Sequence, residues 1–306
     1  MAANVPSASS APVAQSGILP LFWDLASADE AVRLAAAAKL IQAVVADAGV
    51  GKVDASPCTT EDEFFARCPP VTAYTVKRLI RGLPSSREGA RQGFTVALTE
   101  VRVPVCSAWQ GAGATRSLLI ETPTKPDAGS LHAQLLASLP FATVAAVRPV
   151  LFELTESSSG MKGADERDMF FGRLFGIAAL VRSGVVARPA TTEADYDALI
   201  GALHKLRDRK AYLRELATEV LIDVVAALGQ RASAPAAAAP RSKKGKAAAA
   251  AAAAAPAMDV ATAVCERLLA TVGALPDSPE KLATVLAVQQ AFPVSTHTAR
   301  DLALWL

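Results

Sequence analysis

Residues 162–184 read KGADERDMFFGRLFGIAALVRSG and predict the helix around which the rest of the chain is arranged. Apolar residues recur in this stretch at helical spacing, in two adjoining rows. The rows are Phe170, Leu174, Ile177, Ala178 and Val181, and beside them Phe171 and Phe175. Early carboxylates suit the positive end of a helix, and a closing Arg-Ser-Gly suits its end. Because apolar residues cover much of its circumference, we expect this helix to be packed between neighbouring helices.

Two glycines within this predicted helix, Gly172 and Gly176, lie four residues apart and therefore share a face. Each glycine lowers helix stability by about 1 kcal/mol relative to alanine. We therefore expect another part of the chain to approach the helix closely along this strip.

Similar helical patterns occur on both sides of this stretch. Ser27 followed by Glu30, and Ser85 followed by Glu88, have the spacing of capping boxes that would start two helices. The FWDLAS segment before the first of them is interpreted as a corner between helices, with Trp23 in the core.

Composition limits the function classes. Apolar residues make up 52% of the 306 residues and aromatic residues only 5%, which favours helices built on small side chains. The net charge of +2 is too small to indicate nucleic-acid binding by itself. The four cysteines form no CxxC pair, no window is apolar enough for a membrane span, and no cofactor or metal site is expected.

Helical pairs recur along the chain without strand alternation and without a phosphate-binding glycine pattern. The predicted fold class is therefore all-α, an irregular HEAT/armadillo-like α-solenoid of helical hairpins with disordered inserts. The expected divisions are a disordered tail (1–17), a helical-repeat region (18–229) with a loop insertion near 102–130, an Ala/Lys-rich low-complexity linker (230–257), and continuing repeats (258–306).

Basic residues cluster in the helical pair that follows the first block. Lys77 and Arg81 lie one turn apart with Arg78 beside them, and Arg87 and Arg91 begin the next helix. These five side chains are candidates for binding phosphate or an acidic partner. The alternative, an ordinary solvated helix face, is favoured because no aromatic residue accompanies the charges in the local sequence.

A second basic run lies in the predicted linker. Lys243, Lys244 and Lys246 are candidates for a weak nuclear-import or nucleic-acid contact, although short basic runs occur often by chance.

Three blocks, in order, carry a resemblance to a known family. They are ILPLFWDLASADEAVRLAAAAKLI (18–41), YTVKRLIRGLPSSREGARQGFTVALTEV (74–101) and ERDMFFGRLFGIAALVRSG (166–184). Together they resemble the DNA polymerase V / Myb-binding protein 1A family, whose members are large nucleolar proteins. Residues that the resemblance marks as a structural signature are Trp23, Asp24, Gly172, Arg173, Phe175, Gly176 and Gly184.

This resemblance implies a protein of the nucleus and nucleolus that supports ribosomal RNA gene transcription and ribosome biogenesis. The implied partners are transcription factors and nucleolar assembly factors, with ribosomal DNA or RNA as additional candidates, and neither a membrane nor a small-molecule substrate is implied. Since the family's proteins are longer, the resemblance also implies that the chain covers only an N-terminal portion and is truncated after 258–306.

The family name suggests a DNA-directed DNA polymerase, which is kept as an alternative together with a generic solenoid adaptor. Nucleotidyl transfer needs carboxylates that hold two metal ions about 3.5–4 Å apart. The acidic residues here occupy predicted helix caps and first turns, where carboxylates stabilise helices without chemistry. The sequence therefore favours a non-catalytic scaffold.

Overall fold

The computed structural model describes residues 11–47, 56–99, 139, 141–158, 160–161, 163–233 and 256–292. Every regular element among these residues is helical, and the short turns Val185–Ala187 and Ala211–Leu213 are 3-10 helices. The α-helices are α1 (Ala11–Asp24), α2 (Glu30–Asp47), α3 (Glu61–Arg67), α4 (Pro70–Gly82), α5 (Glu88–Thr99), α6 (Val144–Leu154), α7 (Ala164–Arg182), α8 (Glu193–Arg209), α9 (Arg214–Ser233), α10 (Pro256–Gly273) and α11 (Pro279–Ala291).

The helices pack as successive pairs. The pairs are α1–α2, α4–α5, α6–α7, α8–α9 and α10–α11, and α3 packs on α6. The second helices contact one another in the order α2, α5, α7, α9, α11, while α4 contacts both α1 and α6 and α8 contacts α10. The all-α prediction is confirmed for the described residues. The superhelical HEAT/armadillo geometry stays a prediction, which this contact order favours.

Helix α7 is the predicted organising helix, and it lies between neighbours. It contacts α4, α5, α6, α8 and α9. Each residue of its predicted main row is buried, from Phe170 to Val181. The wide apolar face thus serves several interfaces at once, which is why its apolar residues are not confined to one stripe.

The glycine strip on α7 provides the expected close approach. A Cβ atom on Gly172 would lie 2.9 Å from the backbone nitrogen of Pro84, at the α4–α5 turn. A Cβ on Gly176 would overlap a terminal methyl group of Leu151 on α6. Gly172 is therefore required by packing against backbone, whereas a side chain at Gly176 would force the Leu151 side chain to shift.

The remaining signature residues of α7 stabilise its ends and flanks. The Arg173 guanidinium donates from Nη2 to the Phe152 carbonyl, and from Nε to Thr155 Oγ1 over 3.2 Å. Phe175 stacks on Phe171 with ring centroids 6.0 Å apart. Gly184 follows the helix with φ of 74°, a left-handed conformation that favours glycine.

The prediction that Trp23 lies in the core is wrong, since 74% of its surface is exposed. The buried side of α1 is formed by Ile18 and Phe22, and Leu25 continues it beyond the helix end. Trp23 follows Phe22 by one residue, about 100° further round the helix, and therefore points outward. Asp24, the last residue of α1, is also exposed.

Two helix starts differ from the predicted capping boxes. Helix α2 begins at Glu30, and Asp29 caps it by accepting a hydrogen bond from the Ala31 N–H over 2.8 Å. Ser27 accepts instead from the Asp29 N–H, so it closes the turn before the helix. Ser85 acts in the same way one turn before α5, where it accepts from the Arg87 N–H.

Some boundaries differ from the expected divisions. Helix α1 begins at Ala11, inside the stretch assigned to the tail, and α9 extends to Ser233, beyond residue 229. Helix α10 begins at Pro256, two residues before the expected restart of the repeats. The predicted insertion at 102–130 lies outside the described residues.

Candidate partner-binding surface

The predicted basic cluster on α4 lies at the surface. Arg78 and Arg81 are exposed and Lys77 is half-buried. Within the described part of the chain, no carboxylate forms an ion pair with any of the three at 4.0 Å or less. Burial raises the pKa of the Glu61 carboxyl on α3, and the positive charge of Lys77 opposes that rise. This row can therefore receive an anionic group from outside.

Aromatic rings hold two of these cations from either side. Lys77 Nζ lies 4.1 Å from the ring centroid of Phe65 on α3, and Arg78 Cζ lies 5.3 Å from that of Phe22 on α1. Cations over ring faces are attracted by the ring quadrupole. The local sequence of α4 contains no signal of these rings, because α1 and α3 supply them.

The two arginines predicted on α5 have different surroundings. Arg87 is exposed in the turn before the helix. Arg91 is half-buried, and its Nη1 donates to the Ser85 carbonyl over 2.7 Å and to Asp168 Oδ1 over 3.3 Å. Its guanidinium also lies 5.3 Å from the ring centroid of Phe171. Arg91 thus joins α5 to α7 and lies apart from the α4 row.

Helix α1, which contacts α4, presents two exposed apolar side chains, which we call the apolar ridge. Trp23 is 74% exposed and Leu19, one turn earlier, is 40% exposed. Helix α1 packs directly on α4, and Arg78 reaches over to Phe22, the chain neighbour of Trp23. We call the surface formed by Leu19, Trp23, Lys77, Arg78 and Arg81 the α1–α4 face. The sequence prediction missed its apolar half because Trp23 was assigned to the core.

The carboxylates at the start of α7 are engaged with arginines. Arg209 Nη2 donates to Glu166 over 2.8 Å, and this hydrogen bond lowers the pKa of Glu166. Asp168 is buried and lies 3.3 Å from Arg91 and 3.6 Å from Arg167. Asp168 therefore joins α7 to α5, and Glu166 joins it to the end of α8.

Arginines join elements that are distant in sequence. Arg182 donates to Asp223 over 2.8 Å and to Glu219 over 3.1 Å, which couples α7 to α9. Arg231 is buried and donates to the carbonyls of Thr191 and Pro189. Sequence analysis missed these contacts, since no local spacing relates residues that lie about forty positions apart.

The described cysteines are buried thiols. They are Cys58, Cys68 and Cys265. Burial raises the pKa of Cys68 and of Cys265 to about 12, and the nearby Cys58 adds to the rise at Cys68. Within the described ranges, no group of three or more His, Cys, Asp or Glu residues is arranged to hold a metal ion.

One predicted basic run falls outside the part of the chain that the structure describes. Lys243, Lys244 and Lys246 lie outside the described residues. None of the helices in the described ranges has the length and apolar character that crossing a bilayer requires.

Comparison with known proteins supports the family resemblance. The rDNA transcriptional regulator pol5 of Schizosaccharomyces pombe is 30% identical over 207 residues, which cover 68% of this chain and 16% of that protein. The rDNA transcriptional regulator POL5 of Saccharomyces cerevisiae is 34% identical over 111 residues, covering 36% of this chain and 9% of that protein. No solved structure matches the chain.

The matched segments are small parts of these two relatives, at 16% and 9% of their lengths. Similarity to Myb-binding protein 1A itself stays a prediction. The family model described as DNA polymerase phi matches residues 74–305, which include helices α5 to α11 and the organising helix α7. Since this match extends over more than half of the sequence, the chain belongs to the DNA polymerase phi family.

Proposed function

We propose that the chain is part of a nucleolar helical scaffold that supports ribosomal RNA gene transcription and ribosome biogenesis. The family match carries this proposal, together with two relatives that are both named rDNA transcriptional regulators. The scaffold acts by binding transcription factors and nucleolar assembly factors, and it contacts ribosomal DNA chromatin.

The packing supports a binding role. Helices packed as successive pairs leave outer helix faces available to partners, an arrangement that repeat proteins use for binding. The α1–α4 face combines exposed apolar and cationic side chains on two helices that pack against each other. A surface of this kind suits recognition of another macromolecule.

A DNA polymerase is the alternative that the family name suggests. Four carboxylates at predicted helix starts have partners within the protein, for they cap a helix or bind side chains of neighbouring residues and helices. These carboxylates are Asp29, Glu88, Glu166 and Asp168. We therefore favour the scaffold. A primer-extension assay with Mg²⁺ distinguishes the two, since templated synthesis that is lost on replacing one of these carboxylates would establish the polymerase.

The scaffold proposal is tested in cells by depleting the protein and restoring it as a tagged copy. We expect the tagged copy to lie in the nucleolus and to crosslink to ribosomal DNA, and we expect depletion to reduce nascent ribosomal RNA. A purely cytoplasmic signal with unchanged ribosomal RNA synthesis would favour the generic solenoid adaptor instead.

A further inference from the structure

The α1–α4 face has two halves of different chemistry, carried by two helices that contact each other. On α1, Leu19 and Trp23 are one turn apart, and 74% of the Trp23 surface is exposed. On α4, Lys77 and Arg81 are also one turn apart. The contact between α1 and α4 therefore places an apolar ridge and a cationic row along neighbouring, rigid helices.

Tryptophan and arginine contribute much of the binding energy at protein interfaces, and the α1–α4 face presents both. The cations are positioned before any partner arrives, because Phe65 and Phe22 hold Lys77 and Arg78 in place. A positioned side chain loses less conformational entropy on binding than a freely rotating one. The face is thus preorganised for a ligand that is apolar on one side and anionic on the other.

We propose that the α1–α4 face docks a short helical segment of a partner protein that has an apolar stripe flanked by acidic residues. This proposal rests on the proposed scaffold function and names the chemistry of one of its partners. Apolar residues of such a helix, spaced three or four apart, cover Leu19 and Trp23. Its carboxylates, at the same spacing, lie over Arg78 and Arg81.

The composition of the face favours a protein segment over nucleic acid. Single-stranded nucleic acid is bound by successive aromatic platforms along a strongly basic groove. Here one exposed indole stands beside an aliphatic side chain, and the whole chain has a net charge of only +2. Leucine offers no stacking surface for a base, whereas it packs well against the apolar stripe of an amphipathic helix.

Fluorescence anisotropy with the full chain tests this proposal. The probe is a labelled helical peptide with leucine on one face and glutamate on both flanks. We expect saturable binding that weakens about 10-fold or more in Trp23→Ala, as for truncation of an interface hot spot. Arg81→Glu is expected to weaken binding and to flatten its dependence on salt, because one ion pair is lost.

Matched controls use the other end of the chain. Leu286→Ala removes a leucine on α11 that is 48% exposed, and Arg214→Glu reverses an exposed arginine at the start of α9. Both variants should bind the acidic peptide as the parent chain does. A peptide with lysine in place of glutamate should not bind, and circular dichroism should show the same melting temperature for Trp23→Ala and the parent.

Several results would overturn the proposal. They are the absence of saturable binding by the acidic peptide, equal affinity of the parent chain and both face variants, and equal weakening by the control variants. Tighter, Trp23-dependent binding of a uridine oligonucleotide would show a nucleic-acid site instead. If Trp23→Ala and Arg81→Glu leave peptide binding unchanged while the chain still crosslinks to ribosomal DNA, the docking inference fails and the scaffold function stands.

Discussion

At the scale of single residues, arginine joins the helices of this protein across long stretches of sequence. Arg188, for example, donates from Nη1 to the carbonyls of Leu139 and Ala142 over 2.9 and 2.6 Å. Burial lowers the pKa of Arg188. The side chain nevertheless remains charged, because the pKa of arginine lies far above physiological pH. Hydrogen bonds from a charged donor are stronger than those from a neutral one. These two contacts therefore stabilise the loops between the helical pairs.

Gly172 provides a direct test of the close approach between α7 and the α4–α5 turn. We expect Gly172→Ala to lower the free energy of unfolding by about 1–3 kcal/mol, because the added methyl group meets the Pro84 backbone, which cannot move cheaply. Gly201→Ala on α8 is the matched control, since nothing lies within 4 Å of its added Cβ. That change should raise stability by about 0.5–1 kcal/mol.

Chemical denaturation of both glycine variants, followed by circular dichroism, measures the difference. Equal stabilisation by both substitutions would show that Pro84 does not constrain Gly172 and that the α7 glycine strip is open.

The buried thiols predict a dependence of stability on alkaline pH. The pKa of Cys68 and of Cys265 is raised from 9.0 to about 12 by burial, so the unfolded chain ionises first as the pH rises. Stability contributed by these thiols is present below pH 9.0 and falls between pH 9.0 and about 12. Cys68→Ala combined with Cys265→Ala should therefore show a shallower loss of unfolding free energy in this interval.

Alkylation by iodoacetamide gives a second measurement of the same two thiols. Both should react slowly in the native protein at pH 8.5 and rapidly in denaturant, because only the thiolate is the nucleophile. Fast native-state alkylation at either position would contradict the burial of that thiol.

At the scale of elements, α9 connects the middle of the protein to its last described pair. It packs on α7, α8, α10 and α11, and it extends to Ser233, beyond residue 229, where the helical-repeat region was expected to end. The extension matters because it places Arg231 under the loop between α7 and α8, where the side chain is 7% exposed. The last turn of α9 therefore carries a buried polar anchor.

Replacing the anchor tests its contribution. Arg231→Met should lower the free energy of unfolding by about 1–3 kcal/mol, because the carbonyls of Thr191 and Pro189 lose their buried donor. Arg214→Met, at the exposed other end of the same helix, should change it by less than about 0.5 kcal/mol. Thermal melts of both variants test this expectation. Equal losses of stability would mean that Arg231 contributes only through its aliphatic stem.

At the scale of the whole molecule, contacts join each helical pair to the next. The chain of second helices runs from α2 through α5, α7 and α9 to α11, so α2 and α11 are coupled only through intermediates. In such an arrangement, stability is approximately a sum of pair terms and nearest-neighbour interfaces. A defect at one end should then remain local.

Hydrogen exchange tests this locality. Val288→Ala on α11 creates a cavity at a residue that is 1% exposed, and we expect faster exchange in α9, α10 and α11. Leu40→Ala on α2, also 1% exposed, should accelerate exchange in α1, α2, α4 and α5. If either substitution accelerates exchange uniformly through all described helices, the protein unfolds as one cooperative unit and the stack interpretation is wrong.

The sequence by itself determined the helical class, the organising role of residues 162–184 and the family. Helical spacing is a local property of the sequence. Phe170, Leu174 and Ile177 lie on one helix face, and any neighbouring helix can bury them, so their burial was predictable without knowing which helix that is. The glycine strip was also predictable, because an unfavourable residue repeated every fourth position indicates a packing requirement.

Only the tertiary structure decided which charges are held and which are free. Arg91 and Arg81 look alike in sequence, yet Arg91 contacts Asp168 on α7 while Arg81 faces solvent. Trp23 likewise follows a buried Phe22 but lies on the outer side of α1. The physical reason is that ion pairs and exposure depend on which helices become neighbours, and that pairing is set by contacts between residues distant in the chain.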